Sequence, residues 1–116
     1  MKSKMIVAIV IVVGLTGCYN DKEELLYPSA FDCASQTISF AATIQPIIQT
    51  RCAIAGCHDA PSGNKGGPFT NYSLIKNKAL IIRAQVSSGV MPQGSSLSAN
   101  QIALINCWVT QGALNN

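Results

Sequence analysis

One stretch near the middle of the chain contains most of its reactive side chains: Arg51-Cys52-Ala53-Ile54-Ala55-Gly56-Cys57-His58. Four residues separate the two cysteines, and His58 is the single histidine of the 116-residue chain. In an exported protein, a disulfide would be the ordinary explanation of such a pair. The histidine directly after Cys57 favours a different role for these two thiols.

The order cysteine, spacer, cysteine, histidine is the attachment signature of c-type haem, whose usual spacer has two residues. The two thiols bond to the vinyl groups of the haem, and the adjacent imidazole binds the iron as its proximal ligand. Both sulfurs and the imidazole must therefore lie on one side of a short turn. Here the spacer has four residues, but Ala53, Ala55 and Gly56 are small enough for it to bulge while Cys57 and His58 stay together. The longer spacer leaves open whether both thioethers form.

Apolar residues recur at helical spacing before this stretch. They are Phe40, Ile44, Ile47, Ile48 and Cys52. The pattern predicts a helix that begins near Thr43 as its N-cap, carries Pro46 in its first turn and ends at the cysteine motif. Residues 59–70 include three glycines and two prolines without helical or strand periodicity, which predicts a loop.

Two further apolar stripes follow the loop. The first consists of Tyr72, Ile75, Ala79, Ile82 and Val86, and the second of Leu97, Ile102, Leu104, Ile105, Trp108 and Val109. The first stripe predicts one helix or two short ones that stop at Gly89. The second predicts a final helix, with Ser98 and Gln101 as a capping box and an end near Gly112. No convincing pair of strands occurs, so the predicted fold class is all-α, in a single domain.

The segment between these two stripes, Val90-Met91-Pro92-Gln93-Gly94, holds a second candidate ligand. Met91 is the only methionine beyond the first 17 residues, and it lies 33 residues after His58. A thioether sulfur suits haem iron, and a His/Met ligand pair raises the reduction potential. Pro92 would stiffen the loop that presents the sulfur. The alternative is that Met91 fills a hydrophobic wall beside a five-coordinate iron, as methionines commonly fill gaps in cores.

From about residue 38 to residue 116, the chain resembles the small cytochrome c-like domains of bacterial lipoproteins. The resemblance lies in Thr43-Ile44-Gln45-Pro46-Ile47-Ile48, in the Met91-Pro92 loop, and in Leu97-Ser98-Ala99-Asn100-Gln101-Ile102-Ala103-Leu104-Ile105 with Trp108 and Gly112. It implies a class I, monohaem c-type fold. In that fold the N- and C-terminal helices cross, and the haem lies between them and the Met-Pro loop.

The resemblance also implies which residues form the site. One covalent haem c would be attached through Cys52 and Cys57, and its iron would be bound axially by His58 and Met91. Such a protein carries single electrons between redox protein partners and is not an enzyme.

Besides the predicted attachment pair and Cys18, the chain contains two cysteines, Cys33 and Cys107. Cys33 precedes the first predicted helix and Cys107 lies within the last, and these two helices cross in the family's fold. The resemblance therefore implies a structural disulfide between them, with two buried free thiols as the alternative.

The start of the chain predicts export and lipid attachment. Two lysines precede a short apolar run, and Leu15-Thr16-Gly17-Cys18 resembles the lipobox of bacterial lipoproteins. The predicted organisation is a signal peptide at 1–17, acylated Cys18 with a polar tether at 18–36, and the haem domain at 37–116. A lipid anchor in the inner or outer bacterial membrane would hold this domain in an extracytoplasmic space, facing the periplasm or the cell surface.

Charge composition argues against a nucleic-acid partner. The chain carries a formal charge of +3, and loss of the two lysines of the signal peptide leaves six basic and five acidic residues, or +1. There is no basic patch and only one tryptophan, so binding of nucleic acid is not expected. Two haem propionates would bring the domain close to −1, so strong electrostatic steering of a redox partner is not expected either.

Two other functions remain open at this stage. One is a haem-based sensor or gas-binding lipoprotein, which requires an open sixth position on the iron. The other is a haem-free lipoprotein in which the four cysteines other than Cys18 form two disulfides, by any of three pairings.

Overall fold

The computed structural model describes residues 32–64 and 66–116, and every regular element in those residues is a helix. The elements are a π-helical turn at Phe40–Ile44, α1 at Gln45–Arg51, α2 at Tyr72–Asn77, α3 at Ala79–Ser87 and α4 at Ala99–Thr110. No strand occurs among them, which agrees with the predicted all-α class. The predicted signal peptide, the acylated Cys18 and most of the tether lie outside the described residues.

The first helical run begins one turn earlier than predicted. Ser39 is the N-cap, because its hydroxyl accepts a hydrogen bond from the Ala42 amide at 3.1 Å. The prediction that Thr43 is the cap is wrong, since Thr43 lies inside the run. A π-helical bond from the Ile44 amide to the Ser39 carbonyl, 3.3 Å long, extends the helix upstream. The run then continues into Pro46, which occupies the first turn of α1 as predicted.

The apolar stripe from Tyr72 to Val86 forms two short helices, α2 and α3, which meet at Lys78. Four of its five residues are buried: Ile75, Ala79, Ile82 and Val86. Gly89 follows α3 with a φ of +74°, a conformation that favours glycine and ends the helix where the sequence predicts. The predicted capping box between Ser98 and Gln101 is present at the start of α4.

Trp108 lies at the centre of the core, with only 1% of its surface exposed. Its ring centroid is 5.6 Å from that of Phe40, so α4 packs against the π-helical turn. The Phe40 ring in turn meets Tyr72 edge to face at 5.0 Å. The Trp108 indole nitrogen donates to the Leu114 carbonyl at 2.9 Å. These contacts account for Trp108 as a packing residue.

The two ends of the described chain are joined directly. Cys33 and Cys107 form a disulfide with their Cα atoms 5.2 Å apart. The Asn116 side chain accepts a hydrogen bond from the Phe40 amide at 2.8 Å, and its backbone carbonyl accepts one from the Ser39 hydroxyl at 2.9 Å. In the part of the chain that is described, no helix has the length and apolar character needed to cross a bilayer.

Candidate functional site

A cleft of about 710 Å³ lies between two walls. One wall is the cysteine motif with the loop after it, and the other is α3 with the segment that follows it. The volume of the cleft lies within the range of roughly 300–1,000 Å³ that is typical of cofactor pockets. All four residues predicted to bind haem line this cleft: Cys52, Cys57, His58 and Met91. The structure therefore brings together two segments of the chain that are remote in sequence.

The four-residue spacer of the cysteine motif is accommodated by an outward turn. The amide of His58 donates to the carbonyl of Cys52 at 3.0 Å. This bond brings the two ends of the motif together despite the two extra residues of the spacer. Within the turn, the Cys57 amide donates to the Ile54 carbonyl at 3.0 Å. Gly56 has a φ of +80°, which favours glycine at this position. The bulge leaves Cys57 and His58 adjacent to the cleft.

Side chains from the following loop hold this turn in place. The hydroxyl of Ser62 accepts a hydrogen bond from the Gly56 amide at 2.9 Å and donates one to the carboxylate of Asp59. The side-chain amide of Asn64 donates to the Gly56 carbonyl at 2.8 Å and also to the carbonyl of Cys57. The longer spacer is thus a hydrogen-bonded turn.

The His58 imidazole is held by packing. Its ring stacks on Phe69 with the centroids 4.4 Å apart and the planes 25° apart. The Phe69 amide donates to the His58 carbonyl at 2.9 Å, which joins the two residues through the backbone as well. The Nδ1 atom is buried and has no hydrogen-bond partner among the described residues. A Cβ atom at Gly67 would lie 2.8 Å from Nδ1, so this glycine permits the close approach of the loop.

Met91 lies on the α3 side of the cleft, where it is half-buried. The amides of Val90 and Met91 both donate to the Gln85 carbonyl, at 3.1 and 3.2 Å. These bonds tie the start of the loop to the last turn of α3. The thioether is therefore presented by a segment that is anchored on its N-terminal side.

The cleft is positively charged. Arg51 and Lys78 line it, and no carboxylate does so among the residues described. Burial raises the pKa of the Cys52 thiol to about 11, with Arg51 opposing this effect and Cys57 adding to it. In the chain without cofactor, the Cys52 thiol is therefore protonated at neutral pH.

The cleft fits haem c on chemical grounds. It offers two thiols and an imidazole from the cysteine motif and a thioether from the segment after α3. Its two cationic side chains complement the carboxylates of a haem. In residues 32–64 and 66–116, no group of three His, Cys, Asp or Glu side chains converges to hold a bare metal ion.

Several residues of the site were not predicted from the sequence. Phe69 and Gly67 lie in the Gly/Pro-rich loop, whose lack of periodicity conceals which of its residues approach the histidine. The turn-holding residues Ser62 and Asn64 give only the general signal of polar loop residues. The contact of Arg51 with the segment after Met91 has no sequence signal, because 45 residues separate its two partners.

Comparisons of the chain with protein-family models, with curated proteins and with solved structures find no match in any of the three. The interpretation of the cleft therefore rests on the chemistry of the residues that line it.

Proposed function

We propose that this protein is a membrane-anchored monohaem c-type cytochrome that carries single electrons between extracytoplasmic redox partners. The observation behind this proposal is that Cys52, Cys57, His58 and Met91 line one cleft of a suitable volume. Met91 is 33 residues from His58, so its presence there does not follow from the spacing of the cysteine motif.

Four residues would hold the cofactor. Cys52 and Cys57 would attach it through thioethers, and His58 and Met91 would bind its iron. Haem iron supplies one-electron oxidation and reduction when it is bound. The chain itself would orient these ligands, keep water from the iron and leave part of the cofactor accessible to a partner.

The walls of the cleft suit this role. Ile82, Val86 and Phe69 are buried residues that line it, and they would shield the iron from water. Low solvent exposure and a thioether ligand both favour the reduced, less charged form of the iron. We therefore expect a higher reduction potential than for the same haem with water in the sixth position.

Membrane attachment is the second part of the proposal. It rests on the lipobox-like sequence that ends at Cys18 and on the polar segment that follows it. Two or three acyl chains at this cysteine would be enough for stable anchoring. The tether would let the domain reach redox partners near the membrane surface.

A reduced-minus-oxidised absorption spectrum of the mature protein tests the haem. When the protein is purified with its haem-attachment machinery, we expect a sharp c-type α band on reduction. Mass spectrometry under denaturing and reducing conditions should show one haem still attached, because thioethers resist reductant. A protein that is colourless and lacks the added mass even when purified from its native host would overturn the proposal and favour the haem-free lipoprotein.

Replacing Met91 tests the sixth ligand. We expect Met91→Leu to abolish the sulfur-to-iron charge-transfer band of the oxidised protein while it preserves the size and apolar character of the side chain. If Met91 only fills the wall of the cleft, this substitution should leave the spectrum unchanged. An unchanged spectrum would favour the sensor with an open sixth position.

A further inference from the structure

The segment 90–97, here called the Met91 loop, is fastened at its two ends. At its start, the Gln85 carbonyl accepts hydrogen bonds from the amides of Val90 and Met91. At its end, Leu97 is 7% exposed and belongs to the core. Residues 93–96 between these ends are exposed. Within the loop, the Ser95 amide donates to the Pro92 carbonyl at 3.4 Å, but this bond does not connect the loop to the opposite wall of the cleft.

Arg51 provides that connection. Its Nη2 atom donates to the carbonyl of Ser96 at 2.6 Å. Among the described residues, no other hydrogen bond joins the Met91 loop to the part of the chain before α3. Arg51 is the last residue of α1 and directly precedes Cys52, so this bond connects the cysteine motif with the loop that carries the thioether.

Arg51 lines the same cleft as Met91. The Nε atom of its guanidinium group is buried and makes no hydrogen bond to any described residue. The bond to Ser96 is charge-assisted, and it lies at the solvent-exposed edge of the cleft. Such bonds are stronger than those between two neutral groups.

We propose that Arg51 is a positioning residue that holds the Met91 loop closed and thereby keeps the thioether of Met91 on the haem iron. This inference rests on the proposed function. The Arg51–Ser96 bond acts as a latch between the two walls of the cleft, and its strength sets how often the sixth position opens to an external ligand.

The size of the effect follows from the equilibrium between closed and open loops. An external ligand binds only when Met91 has left the iron, so its apparent affinity is proportional to the open fraction. A hydrogen bond to a charged group at a solvent-exposed position changes such an equilibrium by about tenfold at most. Loss of the latch should raise the apparent affinity for an external ligand by the same factor.

Imidazole binding to the oxidised holoprotein tests the latch, followed through loss of the sulfur-to-iron charge-transfer band. We expect Arg51→Ala to bind imidazole about fivefold to tenfold more tightly than the wild type, with covalent haem still present. Arg83→Ala is the matched control, because Arg83 lies on α3 and does not line the cleft. An Arg51→Ala affinity within twofold of wild type would overturn the proposal.

Repeating the Arg51 substitution in Met91→Ala protein distinguishes a positioning role of Arg51 from a direct effect of Arg51 on the haem. In Met91→Ala protein the thioether and its charge-transfer band are absent, so imidazole binding is followed through the shift of the main haem absorption band. In this protein, Arg51→Ala should change imidazole affinity by less than about twofold. An equal increase in both backgrounds would contradict a role through Met91. Absence of haem from the wild type would instead overturn the proposed function. If Arg51→Ala fails to acquire haem, Arg51→Lys retains the charge and is expected to bind imidazole with intermediate affinity.

Discussion

His58 is held by two neighbours that contribute no hydrogen bond to its ring. Phe69 stacks on one face of the imidazole, and the backbone at Gly67 passes close to Nδ1. Packing of this kind restricts rotation of the ring before any cofactor arrives. The pre-orientation of the imidazole thus depends on a loop with no regular secondary structure.

Gly67→Ala should disturb the histidine directly. The added methyl group would lie 2.8 Å from Nδ1, 3.1 Å from the side-chain Cβ and 3.3 Å from the backbone Cα of His58. Because one of these atoms belongs to the backbone, rotation of the ring alone does not relieve the contact. We expect the cofactor-free domain to lose about 1–3 kcal/mol of unfolding free energy in denaturant titrations.

Gly66→Ala is the control for this substitution. A Cβ atom at Gly66 would meet no atom within 4 Å, but its φ of +95° adds backbone strain. Both variants should therefore lose stability, whereas only Gly67→Ala should move the NMR resonances of the His58 ring. Unchanged ring resonances in Gly67→Ala would contradict the close packing described above.

The raised pKa of Cys52 predicts how its reactivity depends on pH. With a pKa of about 11, caused mainly by burial, the thiolate fraction should still be increasing above pH 9. In the folded, haem-free chain, iodoacetamide labelling of Cys52 should accelerate roughly tenfold per pH unit from pH 8 to pH 10. In the denatured chain the thiol ionises near its ordinary pKa of about 8.5, so the rate should level off earlier. Coincident pH profiles, measured by peptide mass spectrometry, would refute this expectation.

At the scale of the helices, the beginning of the first run shows how local rules combine. Proline has no amide hydrogen, so the helix that contains Pro46 was expected to begin only a few residues before it. The π-helical turn changes this, because the Gln45 amide bonds to the Phe40 carbonyl and the bonded run extends back to Ser39. The wrong cap was predicted because periodicity of the side chains does not distinguish a π-helical turn from the start of an α-helix.

The other helices follow their local signals closely. The capping box at Ser98 and Gln101 supplies two reciprocal hydrogen bonds, and it is present as predicted. The division between α2 and α3 at Lys78 was one of the two forms that the apolar stripe allowed. Both signals lie within a few residues of the feature that they predict, so they depend little on distant contacts.

At the scale of the whole molecule, one disulfide links two residues that flank the candidate site in sequence. The disulfide joins residues separated by 74 positions, and every residue predicted to bind haem lies between them in sequence. Cys107 is 1% exposed and lies in α4 against the core. The bond therefore limits how far residues 33 and 107 can separate when the chain unfolds.

Removing this disulfide should lower stability markedly. In the chain-entropy description, closing a loop of this length contributes on the order of 4 kcal/mol. We expect Cys33→Ala, Cys107→Ala and the double variant each to lose about 2–4 kcal/mol of unfolding free energy in urea. Because each single substitution already breaks the bond, the two effects should not add. Additive losses would show that packing of the two side chains is responsible, and not the bond.

The sequence alone determined the helical elements, their approximate ends and the residue types of the candidate site. These properties depend on periodicity, capping and motif spacing, which act over a few residues. They did not show how the loop after His58 packs against the imidazole. A segment without periodicity offers no rule for which of its residues, here Gly67 and Phe69, come close to a neighbour.

Only the tertiary structure decided which residues face each other across the cleft. Met91 lines the same cavity as Cys52, and Arg51 reaches Ser96, 45 residues further along the chain. Such contacts depend on how α4 packs against the π-helical turn and how α3 packs against α4, and that packing is the summed result of many side chains in the core. The sequence therefore supplied the candidate ligands, and the packing of the helices supplied the cleft that brings them together.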